Sequence, residues 1–155
     1  MVMTSAVSDT NMAVDLLGGR RTFPKPIHTA LEAHQQITAG FPGRALTNLV
    51  AQVAVMRDTD VLEKAVGISL RTLQRRKKDE TGRRLSKEQS GRAWKFAAIL
   101  ARATGIFGSQ EDAERWLSEP ALGINGQRPI DLLDTPAGVG IVEDFLEQIA
   151  YGVYA

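Results

Sequence analysis

The chain has 155 residues, 43% hydrophobic, 24% charged and none of them cysteine. This suits one or two small domains with real cores and excludes disulfides, thiolate catalysis and thiolate metal sites. It contains no long apolar run and no basic-then-apolar leader after Met1, so a cytoplasmic protein without a membrane partner is expected. Net charge is only +1, yet residues 69–109 carry eleven basic against three acidic groups and residues 110–155 carry two against nine. One segment suits an anionic partner and the next does not.

Residues 1–25 are small and polar with few periodic apolar positions, which predicts a flexible N-terminal segment. Gly18-Gly19-Arg20-Arg21 lacks the preceding strand and the Lys-Ser/Thr ending of a phosphate loop, and reads as a flexible joint. Pro26 predicts the opening of a helix through Ile27, Ala30, Leu31 and Ile37, stopped near Gly40 and Pro42. His28 and His34 lie six residues apart on it. Two metal ligands on one helical face need three or four, so both read as ordinary surface or half-buried histidines. Arg44 to Met56 reads as a second helix through Leu46, Leu49, Val50, Val53 and Ala54, and Asp58-Thr59-Asp60 caps a short third helix, Val61 to Val66.

Gly67-Ile68-Ser69 then leads into a basic helix ending at Lys78. Leu70 and Leu73 share one side of it, and Arg71, Gln74, Arg75 and Lys78 share the other. Short helix, glycine turn and basic helix together predict a helix-turn-helix. Its candidate DNA contacts are Ser69, Arg71, Thr72, Gln74, Arg75, Arg76 and Lys78, with Arg83 and Arg84 in the loop after it. Arg and Gln have the donor geometry to read guanine and adenine, while Lys supplies charge to phosphate. The competing reading is a merely solvated basic face; the Gly-Ile-Ser turn ahead of it favours DNA. One such helix reads a short half-site, so a homodimer on an inverted repeat of operator DNA is expected.

Ser86 and Gln89 form a capping-box pattern for an apolar helix over residues 87–104, with Trp94, Phe96, Ala97, Ile99, Leu100 and Ala103, ended by Gly105 and Gly108. Ser109 caps a helix over Gln110 to Leu117, which Pro120 stops. An Asn125-Gly126 turn and a short helix begun by Pro129 follow. Thr135-Pro136 then starts a last helix through Val139, Val142, Leu146 and Ile149 to Ala150. No segment alternates convincingly with period two. The expected fold is therefore all-α, with a helix-turn-helix region over residues 26–104 and a small helical domain over residues 105–155. The closing Tyr151-Gly152-Val153-Tyr154-Ala155 is too apolar for an ordinary tail. It either folds back onto this chain's core or fills a pocket on another protein. No Ser-His-Asp or metal-ligand set is visible, so neither an enzyme nor a cofactor is expected.

The ordered segments Gly67–Arg76, Gly82–Ser86, Ala113-Glu114-Arg115-Trp116-Leu117, Pro120-Ala121-Leu122-Gly123, Arg128-Pro129-Ile130-Asp131-Leu132-Leu133 and Ala137-Gly138, leading to the aromatic tail, carry a family resemblance. The chain resembles the antitoxins of RES–Xre toxin–antitoxin systems, the Xre/MbcA/ParS family, over residues 60–155. Ile124-Asn125 departs from the family pattern as an insertion in one loop. The resemblance implies an Xre-like helix-turn-helix that represses its own operon and a C-terminal domain that inhibits an NAD-consuming RES-domain toxin. It assigns the toxin interface to Asp144, Glu147, Gln148, Tyr151, Gly152, Val153, Tyr154 and Ala155. The charge split agrees with both halves of this reading. A stand-alone repressor without a toxin partner is the alternative, and it leaves the tail unexplained.

Overall fold

The computed structural model describes residues 2–78 and 83–152. Its helices are α1 (Val2–Leu16), α2 (Ala30–Ala39), α3 (Arg44–Gln52), α4 (Thr59–Val66), α5 (Leu70–Lys78), α6 (Lys87–Phe107), α7 (Gln110–Ser118) and α8 (Pro136–Ala150). Short 3-10 turns lie at Gly19–Arg21, Ala54–Arg57, Leu122–Ile124 and Pro129–Leu132. Among the described residues there is no strand, only the isolated bridges Pro42 with Arg84 and Ala121 with Gln127. The fold is all-α.

α6 is the hub, packing against α1, α2, α4, α7 and α8. Ser86 starts it with a reciprocal cap: its Oγ accepts from the Gln89 N–H at 3.0 Å, and the Ser86 N–H donates to Gln89 Oε1 at 3.0 Å. Ala93, Ala97, Ala101 and Ala103 are buried along it with Phe96, Ile99 and Leu100. These small residues let neighbouring helices approach closely on several sides. Gly105 does not end the helix; the chain stays helical to Phe107, and Gly108 at φ 93° provides the stop.

The N-terminal segment is the largest correction. Residues 1–25 were expected to be flexible, but α1 packs on α6 and Ala13, Leu16, Leu17 and Phe23 are buried. Met12, Ala13, Leu16 and Leu17 form an apolar stripe at helical spacing, too short to stand out among polar neighbours, and α6 supplies the surface that buries it. Gly18 and Gly19 are not a loose joint either. At φ 108° and 63° they make a defined left-handed turn, and a Cβ on Gly18 would collide with Thr22 Oγ1. The turn delivers Phe23 edge-on to Phe41, ring centroids 4.9 Å apart.

Two boundaries also move. α2 begins after Thr29, not at Pro26. Thr29 Oγ1 accepts from the Glu32 N–H at 3.1 Å, and Glu32 Oε1 accepts the N–H groups of His28 and Thr29 at 3.0 and 3.1 Å. Those donors, the His28 N–H foremost, hold the Glu32 carboxyl below its ordinary range. A complete capping box outweighs a proline three residues earlier. α3 stops at Gln52 rather than running to Met56, because distant side chains claim the backbone there. Gln110 Nε2 donates to the Gln52 carbonyl at 2.8 Å, and the Val55 N–H donates to the buried Glu114 carboxylate at 2.9 Å. His28 and His34 are both exposed, and no group of His, Cys, Asp and Glu among the described residues could hold a metal.

If α1 is part of the core, Leu17→Ala should destabilise the protein by about 2–5 kcal/mol, as a buried Leu-to-Ala truncation does. Urea unfolding monitored by circular dichroism measures this, and a change within a few tenths of a kcal/mol would return the segment to the status of a loose tail.

Candidate DNA-reading helix and partner-binding helix

The basic helix is built as a helix-turn-helix requires. Asp58 caps α4 by accepting from the Asp60 N–H at 2.9 Å, and Gly67 closes α4 at φ 82°. A Cβ at Gly67 would also strike Arg92, whose guanidinium donates to the Glu63 and Lys64 carbonyls at the end of α4. Cation and helix C-terminus are matched there. Ser69 then caps α5, its Oγ accepting from the Thr72 N–H at 3.1 Å. Ile68 and Leu73 are buried, which fixes the rotation of α5 about its axis.

That rotation sorts the expected DNA contacts. Arg71, Gln74 and Arg75 are exposed and, with Lys77, line one shallow depression on the outer face of α5. No carboxylate among the described residues pairs with these cations. Ser69 and Thr72 spend their hydroxyls on the cap, 2.9 Å from each other. Arg76 is half-buried, and its Nη1 is shielded without a hydrogen-bond partner among the described residues. Arg83 is exposed, whereas Arg84 Nη1 donates to the Gly40 carbonyl at 2.6 Å and ties the loop to the α2–α3 turn. Lys78 closes α5, and residues 79–82 lie outside the described residues.

In the C-terminal part, Asp144, Glu147, Gln148 and Tyr151 follow one another at helical spacing along one side of α8 and its end, all exposed. Tyr151 is 76% exposed and does not turn back onto the core. Gly152 is exposed at φ 76°, and Val153, Tyr154 and Ala155 lie outside the described residues. Below this face, Trp116 stacks on Phe145 at 5.8 Å and tilts against Phe107 at 5.5 Å. Thr135 caps α8 by accepting from the Gly138 N–H at 3.0 Å, with Pro136 at its first position.

Sequence reasoning did not anticipate the ion cluster that joins the two parts. Asp131 takes both Arg128 Nε and Nη2, at 2.9 and 2.7 Å, and also Lys64 Nζ of α4 at 2.6 Å. Asp60 adds a second carboxylate, 3.4 Å from Lys64 and 3.7 Å from Arg128. The Arg128 hydrogen bonds, with Lys64 behind them, hold the Asp131 carboxyl down at about 2. Asp131 in turn pushes the Lys64 ammonium up. Ile130, between the charged pair, is fully buried. The Arg-Pro-Ile-Asp segment is thus a clasp on α4.

Comparison with known proteins agrees with this two-part architecture. Residues 32–98 match the model of the antitoxin Xre-like helix-turn-helix domain, and residues 102–152 match that of the antitoxin Xre/MbcA/ParS C-terminal toxin-binding domain. The chain is 36% identical to antitoxin Xre of Pseudomonas putida over 121 residues, covering 78% of this chain and 72% of that one. The chain belongs to the Xre/MbcA/ParS antitoxin family. It is also 28% identical to antitoxin Xre of Yersinia enterocolitica, over 75% of this chain and 87% of that protein. It is 32% identical to the Prs ADP-ribosylating antitoxin of Sphingobium, over 57% and 61% respectively. The gap between the two domain matches falls inside α6, so one continuous helix serves the DNA-binding and the toxin-binding domain.

The clasp makes a pH prediction. Asp131 has a folded pKa of about 2 against an ordinary value of 3.8, so the unfolded chain binds the extra proton between these values. Its contribution to stability is therefore fully present above about pH 4 and lost as pH falls through about 2. Because the site is partly wet, about 1 kcal/mol is expected. Asp131→Asn should flatten that part of the stability–pH profile, measured by urea melts between pH 2 and 5; an unchanged slope would show that the cluster does not contribute.

Proposed function

We propose that this antitoxin blocks a RES-domain toxin by placing the end of α8 and the tail that follows across the toxin's NAD-binding cleft. It represses its own operon as a homodimer on an inverted repeat. The observation that carries the first part is Tyr151, a large aromatic 76% exposed at the end of a well-capped helix inside the toxin-binding domain. An aromatic held out from its own core is suited to a partner's pocket. Asp144 and Glu147 beside it suit the basic surroundings expected of a cleft that receives an anionic dinucleotide. The relative named for ADP-ribosylation supports NAD chemistry in the toxin, since NAD is the usual donor of ADP-ribose. No chemistry on the antitoxin is required, because occupation of the cleft is enough. The α5 face of Arg71, Gln74, Arg75 and Lys77 reads the operator, with Arg75 central among them. Arg83 adds charge to phosphate, while Ser69, Thr72 and Arg84 hold the reading helix and its loop in place.

Deleting residues 151–155 should abolish neutralisation in a co-expression growth assay while leaving thermal stability and operator binding unchanged. Full protection by the shortened protein would overturn the occlusion mechanism. Arg75→Ala should weaken operator binding by about 1–3 kcal/mol and relax sequence preference if the side chain reads a base. A uniform loss on all sequences, with a shallower salt dependence, would make it a phosphate contact.

A further inference from the structure

Leu122 is 97% exposed, while its neighbours in sequence and space are fixed in place. The turn that carries it is closed by Ala121 and Gln127, with the Ala121 N–H donating to the Gln127 carbonyl at 3.0 Å and the Gly126 N–H to the Ala121 carbonyl at 2.9 Å. Asn125 and Gly126 take left-handed conformations, φ 58° and 72°, to make that closure. Ile124, two residues on, is buried. Gly123 between them lies so close to the Phe145 ring that a Cβ there would fall 2.3 Å from Cε2. A leucine at the tip of such a turn is displayed at little further entropic cost.

The surface beside it continues the pattern. Ile141, one helical turn before Phe145 on α8, is 47% exposed. Gly140 next to it meets nothing within 4 Å at its Cβ position, so this chain's own packing does not require a glycine there. The glycine leaves the α8 backbone bare to an approaching surface. Glu119, three residues before Leu122, and Asp144, next to Phe145, are both exposed. Ile141 and Tyr151 are ten residues apart, about 15 Å along α8, too far for one side-chain pocket to hold both.

We propose that Leu122, supported by Ile141, is a hydrophobic anchor that docks into an apolar pocket on the toxin, separate from the cleft that the tail covers. The occupant is the toxin because Leu122 and Ile141 both lie within residues 102–152, the toxin-binding domain of the family, and the turn that carries Leu122 packs on α8. The proposal rests on the occlusion reading only for the word "separate". Affinity comes from the anchor and inhibition from the tail.

The test compares full-length antitoxin, Leu122→Asp, Leu122→Met and the 151–155 deletion against the toxin that co-purifies with the tagged antitoxin from its host. Isothermal titration gives affinity, and NAD turnover at saturating antitoxin gives inhibition. Leu122→Asp should raise Kd by about 30-fold or more, keep its thermal melt and operator affinity, and still inhibit fully at saturation. Leu122→Met should restore binding. The deletion should show the opposite signature, a smaller change in Kd with inhibition lost. An unchanged Kd for a folded Leu122→Asp would overturn the anchor. So would a loss of homodimer in analytical ultracentrifugation with toxin affinity intact, which would assign the patch to a second copy of this chain. Should Leu122→Asp fold poorly, Leu122→Ala carries the same comparison. Because affinity is measured without turnover, a toxin that proves not to consume NAD leaves the anchor test standing.

Discussion

Ala93, Ala97, Leu100, Ala101 and Ala103 are each fully buried on α6, on positions that point to more than one side of the helix. A helix enclosed in this way must find its neighbours at short range, and alanine is the residue that permits it. The requirement recruits α1, α2, α4, α7 and α8 around it. The helices of the helix-turn-helix domain and those of the toxin-binding domain consequently share one core. Their mutual position is set by packing rather than by a linker.

The Asp60–Lys64–Arg128–Asp131 cluster works on the same junction by different means. Exposed single ion pairs contribute little, but a bidentate Arg–carboxylate pair that also takes a lysine from another element fixes direction as well as distance. Here it fixes the Pro129–Leu132 turn against α4, the first helix of the helix-turn-helix. Arg92 of α6 holds the C-terminal end of α4 through the Glu63 and Lys64 carbonyls. α4 is therefore clasped by residues from both domains, and α5 inherits its orientation from α4 across Gly67. Any displacement of the Arg128–Asp131 segment acts on α4 directly.

Features with a local cause were legible in the sequence. Ser69, Ser86, Ser109 and Thr135 each cap the helix expected of them, because a cap depends on three or four consecutive residues. The exposed basic face of α5 followed from Leu73 and Ile68 in the same way. What escaped notice depends on residues far apart in the chain. α1 looks polar until α6 is present to bury Leu16 and Leu17. α3 looks continuous to Met56 until Glu114 and Gln110, some sixty residues later, take its last backbone groups. The 97% exposure of Leu122 has no local signal either, since it depends on how the turn around it packs on α8. Arg84 was expected at the DNA on charge alone; its tie to the Gly40 carbonyl is a second duty that the sequence does not signal.

Those cases share a physical distinction that separates scaffold from function in this chain. Arg128, Asp131, Arg92, Glu114, Ser90 and Arg84 have polar groups already satisfied inside the molecule; the Phe41 N–H, for example, donates to the buried Ser90 Oγ at 2.8 Å. Removing any of them leaves a partner unsatisfied and weakens the fold. Arg71, Gln74 and Arg75 on α5, and Leu122, Ile141 and Tyr151 on the other domain, do no comparable internal duty. Large apolar groups in water and a row of cations that no carboxylate among the described residues pairs both oppose isolation. The first set explains why the two domains hold together as one body. The second is where a nucleic acid and a protein partner would gain most from contact.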